Sequence, residues 1–240
     1  MSRIIPADRS IVPAADVLSV EYLPYLLEAI NGVQGIGGIK LGFTLAFDNL
    51  REVVQMIRAV NPGWAVIYDH QKAGCDIPRN GEKFAYKMRE AGVDAAIVFP
   101  LAGIETEMAW ITALQGAGVP VILGGEMTHE GFFVSEGGFI ADEAPERMFR
   151  IGARLGVRNF FLPGNKPGQV DLYRRLISTF TGGEDFTIFS CGFFTQGGDI
   201  TEAGKMAGKN WHGVVGEAIY GAGNTAAVRV AAEKAVSQIA

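Results

Sequence analysis

A chain of 240 residues, 48% hydrophobic and 20% charged, has the composition of a folded globular protein with a sizeable core, not of a disordered segment. Its net charge of -5 and the lack of a basic stripe argue against a general nucleic-acid binder, although an acidic average still allows a local anion pocket. Two distant cysteines, Cys75 and Cys191, and three scattered histidines, His70, His129 and His212, supply neither a disulfide framework nor zinc-ligand spacing.

The first residues, MSRIIPADRS, lack the apolar core of a signal peptide, and no apolar run approaches the ~20 residues of a membrane span. A cytoplasmic protein without membrane contact is expected. Short apolar runs follow one another along the chain: SIVPAAD (10–16), GGIKLGF (37–43), WAVIYDH (64–70), DAAIVFP (94–100), GVPVILG (118–124), VRNFFLP (157–163), FTIFSCG (186–192) and HGVVGEA (212–218). Strands buried on both faces read this way. Between them, 50–60, 82–92, 145–156 and 225–239 carry apolar residues at helical spacing. Gly92, Gly118 and Gly156 sit where a helix would stop before the next strand.

Eight strand-then-helix units in a chain of this length predict an α/β fold, a (β/α)8 TIM barrel forming one domain over 1–240. An open doubly wound sheet is the alternative, but it usually carries a glycine fingerprint after the first strand, and AADVLSVEYLP has none. No linker or composition break suggests a second domain.

Barrel sites lie at the C-terminal ends of the strands, so the polar residues there become informative. Lys40, inside an apolar strand, either snorkels to water or pairs with a carboxylate, for which Asp69 on the next strand is the obvious candidate. The stretch YDHQKAGCDIP sets Asp69, Lys72 and Asp76 close together. It reads either as a solvated loop or as a site in which Lys72, flanked by carboxylates, stays protonated and donates to a carbanion. A carboxylate beside the carboxylate of a substrate would raise its ground-state energy. TQGGDITEAGKMAG (195–208) reads as a glycine-rich loop entering a helix, where backbone N–H groups and Gln196 could hold an anion; an ordinary turn is the plainer reading. GEMTHEGFFVSEGGF (125–139) is long enough for a lid, with Thr128 and His129 as polar contacts, or is a loose insertion.

Taken in order, these segments resemble the orotidine 5'-monophosphate decarboxylase family. RSIVPAADV, IKLG, YDHQKAGCDIP, GEMTHEG and SCGFFTQGGD each look like one of its motifs, over nearly the whole chain. The resemblance implies decarboxylation of orotidine 5'-monophosphate to uridine 5'-monophosphate, in de novo pyrimidine synthesis, with no metal or organic cofactor. It implies a homodimer with sites shared between subunits. Asp16 would bind ribose, Lys40 would orient the substrate, Asp69 would press on its carboxylate, and Lys72 would protonate C6. Asp76 would reach in from the partner, and Thr128 would lie over the pyrimidine. Gln196 and Gly197 would grip the phosphate, with Gly216 and Glu217 in the second phosphate loop.

Three departures stand out. The charged signature is D-x-x-K-x-x-x-D, one residue longer on each side than the family's D-x-K-x-x-D, which a bulge at His70-Gln71 would absorb. Glu217 takes the place of a phosphate-clamping Arg, and Cys191 that of a Pro. Lys166, in PGNKPG, is a candidate replacement cation, and Glu217→Arg is expected to lower KM for the nucleotide. Two rival readings remain: a magnesium-dependent sugar-phosphate decarboxylase or synthase on the same barrel, and a non-catalytic phosphate-ligand sensor.

Overall fold

The computed structural model describes residues 3–70 and 76–239. Eight parallel strands close into a barrel in sequence order: β1 (Arg9–Ala15), β2 (Gly38–Leu41), β3 (Ala65–Asp69), β4 (Ala95–Val98), β5 (Val121–Gly124), β6 (Asn159–Pro163), β7 (Thr187–Cys191) and β8 (Trp211–Val215). The ring closes between β1 and β8, from Arg9 opposite Trp211 to Pro13 opposite Val215. Around it run α1 (Leu23–Ile30), α2 (Phe43–Val60), α3 (Asn80–Ala91), α4 (Ile104–Gly116), α5 (Ala144–Arg154), α6 (Pro167–Thr181), α7 (Ile200–Ala207), the one-turn α8 (Glu217–Tyr220) and α9 (Thr225–Val236). This is a (β/α)8 TIM barrel.

Successive side chains on a strand face opposite ways, and this splits the core in two. Val12, Ala14, Ala65, Ile67, Ala95, Ile97, Ile122, Phe161, Phe189 and Val214 fill the barrel interior. Their neighbours Ile11, Ala15, Ile39, Leu41, Val66, Tyr68, Ile188 and Val215 pack outward against the helices. Polar groups also occur at the floor of the interior, where Ser10 Oγ lies 2.8 Å from His212 Nδ1 and both residues are buried.

The expected elements hold, with shifted ends. Gly92, Gly118 and Gly156 do close helices, at φ 78°, 76° and 85°. Strand five begins at Val121 rather than 118, because the amides of Gly118 and Val119 bond back to Gln115 and Leu114 and finish α4. Strand eight begins at Trp211 and stops at Val215. Gly216 (φ -100°, ψ -107°) turns the chain there, and its carbonyl accepts from Ile219 and Tyr220, so Glu217 opens a helix instead of extending a strand. The helix expected at 50–60 is the second part of α2, which starts at Phe43 and is interrupted by non-helical Asn49. Helix ends are capped locally: Asp199 accepts from Glu202 N at α7, and Asn224 from Ala227 N at α9. Among the described residues no helix is long and apolar enough to cross a membrane.

Candidate active site

Three ionisable residues continue the inward-facing series of their strands. Asp16 follows Val12 and Ala14, Lys40 follows Gly38, and Asp69 follows Ala65 and Ile67. Parallel pairing sets Lys40 beside Ala14 on one side and Ile67 on the other. The three side chains therefore converge at the C-terminal mouth. Lys40 Nζ lies 3.0 Å from both Asp16 Oδ1 and Oδ2, and 2.9 Å from Asp69 Oδ2. Lys40 and Asp69 are each only 6% exposed, so they belong to the buried core, whereas Asp16 stays partly open to the cavity. Burial opposes the charge on Lys40, but Asp69 and then Asp16 outweigh it and hold the ammonium well above the ordinary lysine range. Gly42 makes room for this cluster, since a Cβ there would stand 2.3 Å from Asp16 Oδ1. Asp69 Oδ1 is buried with no hydrogen-bond partner among the described residues.

Above the cluster lies a cavity of about 380 Å³. Phe99 and Phe161 from inside the barrel form its apolar floor, with Thr128 and His129 on the β5 side. The loops after β7 and β8 supply Gly192, Phe193, Thr195 and Gln196, then Gly216, Glu217 and Tyr220. Cys191 also lines the cavity; burial, then the nearby Asp69, push its thiol up to about 12.

The loop after β5 is neither a loose insertion nor free-standing. The Glu136 carboxylate accepts from the amides of Phe132 and Phe133, and Val134 N donates to Ile140 O at 2.8 Å. At its base Glu126 is buried and receives Lys166 Nζ at 2.8 Å and the Tyr173 hydroxyl at 2.6 Å. Asn165 Nδ2 donates to the carbonyl of Thr128 at 3.0 Å. The start of α6 thus fixes the segment that carries Thr128 and His129.

The structure brings Asp16, Lys40, Asp69, Thr128, Gln196, Gly216 and Glu217 around one cavity. The expected Lys40–Asp69 pair is present, and Asp16 joins it as an ion partner. Gly197 does not line the cavity; its amide donates to Phe194 O at 2.9 Å. Asp76 is exposed and away from the cavity of its own chain, accepting from Asn80 Nδ2 and Ile77 N. Lys72, and with it the bulge expected at His70-Gln71, lies outside the described residues. Lys166 does not serve as the spare cation, because it is spent on Glu126 and does not line the cavity. Sequence reasoning missed Tyr220, three residues after Glu217 and so on the same helical face, which was the available signal. It also missed the Glu126–Lys166–Tyr173 contact, which joins positions up to 47 apart.

Fold and site together define a (β/α)8-barrel protein with a buried, doubly paired lysine at the mouth of a ligand-sized cavity. No protein-family model matches the chain. Curated orotidine 5'-phosphate decarboxylases do: that of Pyrococcus abyssi is 27% identical over 186 residues, 78% of this chain and 80% of the relative. That of Methanococcus maripaludis is 25% identical over 186 residues, 77% and 78% of the two chains. Among solved structures, the orotidine 5'-phosphate decarboxylase of Pyrococcus horikoshii has a TM-score of 0.75 at 26% identity, covering 95% of this chain and 98% of its own. The Methanocaldococcus jannaschii orotidine 5'-monophosphate decarboxylase, complexed with the inhibitor BMP, has a TM-score of 0.80 at 23% identity, covering 96% and 98%. The chain is a homologue of the orotidine 5'-phosphate decarboxylases.

Proposed function

We propose that this chain is a carboxy-lyase, a single-domain (β/α)8 barrel that converts orotidine 5'-monophosphate to uridine 5'-monophosphate. The observation that carries the reading is the buried Lys40 ammonium held between Asp16 and Asp69 at the barrel mouth, in a homologue of enzymes so named. The substrate ring lies over this cluster, with its carboxylate near Asp69 Oδ1, which has no partner among the described residues. Crowding of like charge there raises the ground state and is relieved as the carboxylate leaves. The bond from C6 to the carboxylate breaks, carbon dioxide departs, and the electron pair stays on C6. C6 then takes a proton from the Lys72 ammonium, which recovers one from water. Lys40 keeps its own proton, because two carboxylates hold it charged, and it fixes Asp69 in place. Asp16 contacts ribose, and Thr128 covers the pyrimidine. Asp76 serves the site of a second subunit in a homodimer, a reading supported by its exposure and its absence from the cavity of its own chain.

An ultraviolet assay of the orotate nucleotide tests this directly. Wild type is expected to turn over, and Lys72→Ala to lose about 1,000-fold in kcat, within the range for a general acid. Binding of uridine 5'-monophosphate without any release of carbon dioxide from the orotate nucleotide would make the protein a ligand-binding barrel instead.

A further inference from the structure

A second cavity, of about 200 Å³, lies on the flank of the barrel between the first turn of α4, residues 139–141 of the β5 loop, and α5. Among the described residues it shares no wall with the cavity at the mouth. Leu101, Ile140, Met148 and Ile151 make its sides apolar. Glu107 lies among them, almost wholly buried, and its Oε1 has no hydrogen-bond partner among the described residues. Phe139 also lines the cavity and is 99% exposed, so it stands at the rim. Arg147, exposed on α5, is the other charged residue of the lining.

Glu107 and Phe139 each cost the chain something. A buried carboxyl group without a donor is unfavourable, and burial holds its proton on, up to about 8. Its place in the first turn of α4 nevertheless suits a carboxylate, because the N–H groups at a helix start favour negative charge. An exposed phenyl ring leaves its apolar surface in water. An acid below apolar walls, with an aromatic ring at the rim, has the chemistry to hold an organic ammonium. The acid takes the N–H groups, the walls take the hydrocarbon, and the ring face attracts the remaining charge. The volume admits a single ring or a short branched chain that bears one such group.

We infer that this cavity binds a small primary ammonium compound with an aromatic or branched aliphatic body, with Glu107 as its counter-ion and Phe139 as its cover. On binding, the Glu107 proton leaves to solvent and a ligand N–H takes its place. The site is separate from the cluster at the mouth and does not depend on the reaction there.

The probe is benzylamine, with benzyl alcohol as its uncharged match, titrated calorimetrically into the full chain. At pH 8 the amine is expected to bind about tenfold or more tighter than the alcohol. Between pH 6 and 7 its affinity should rise about tenfold, as the carboxylate fraction does. At pH 7 about one proton should be released per amine bound, read from buffers of unlike ionisation enthalpy. Glu107→Gln, which keeps the shape without the charge, should bind the two probes alike. Phe139→Ala should weaken the amine alone, by about threefold. A wild type that binds neither probe, or binds both alike, overturns the inference. So does an amine held equally well by Glu107→Gln, or bound with no proton released. An amine that binds only in Arg147→Ala overturns it too, because the guanidinium is then the cation that Glu107 takes. None of these outcomes touches the decarboxylase reading, which the orotate assay tests separately.

Discussion

Two polar clusters sit inside one barrel, at opposite ends, and burial treats them differently. At the mouth, Lys40 keeps its charge with less than a tenth of its surface exposed, because three carboxylate oxygens lie within 3.0 Å of the ammonium. At the floor, His212 has Ser10 for a neighbour and, among the described residues, no carboxylate at hydrogen-bond distance. Burial, then the repulsion of Arg3, push its imidazole down to about 3, so it is neutral at ordinary pH. Both positions face inward on their strands. A charge survives in the interior where opposite charge is supplied at contact distance; elsewhere the group gives it up.

The largest effect should come from breaking the mouth. Lys40→Met leaves Asp69 buried without a counter-ion, and such a loss costs about 3–5 kcal/mol of stability near neutral pH. Denaturant unfolding measures it, and Lys40→Arg, which retains the charge, should recover much of the loss. A Lys40→Met protein as stable as wild type would mean that the ion cluster compensates nothing.

The floor should respond to pH instead. The folded pKa of His212 lies below the ordinary 6.5, so the native state binds fewer protons than the unfolded chain between about 6.5 and 3. Its contribution is full above 6.5 and is lost as pH falls toward 3, on the order of 4–5 kcal/mol. His212→Gln can still bond Ser10 but cannot titrate. The difference between the two proteins' unfolding curves should therefore shrink to a constant above pH 7 and vary below 6.5.

Glu107 sharpens the comparison as a case between the two. It is 2% exposed in the first turn of α4, its Oε1 has no hydrogen-bond partner among the described residues, and burial pushes its carboxyl up to about 8. The folded state prefers the proton, so its contribution is present below 4.5 and is lost as pH rises to 8. Glu107→Gln should raise stability by about 1–3 kcal/mol at pH 8 and by little at pH 4, as read from thermal unfolding. An equal gain at both values would show that ionisation is not the cost.

Much of this was legible before the structure. The alternation within IKL and AVIYD already sets Lys40 and Asp69 on inward positions, and their pairing follows from neighbouring parallel strands. Helix α2 was half hidden because Phe43 and Phe47, 55% and 80% exposed, interrupt the expected amphipathic pattern at its start. Helices α4 and α6 were not singled out, although Ile104–Gly116 and Pro167–Thr181 are among the longer ones. The second carboxylate on Lys40 was expected to serve ribose alone, since nothing local to Asp16 says that it meets an ammonium 24 positions away. Lys166 looked free for the same reason: Glu126, which holds it, is 40 residues distant.

The sequence by itself determined the (β/α)8 order, the inward parity of the charged residues and the carboxylate at 217. Each of these depends on spacing along the chain or on residue identity alone. Tertiary structure decided which charges meet and which lysine is spent. Those outcomes depend on barrel closure, which brings strand and helix ends from distant parts of the chain within hydrogen-bond distance, where a difference of an ångström separates a paired charge from a bare one.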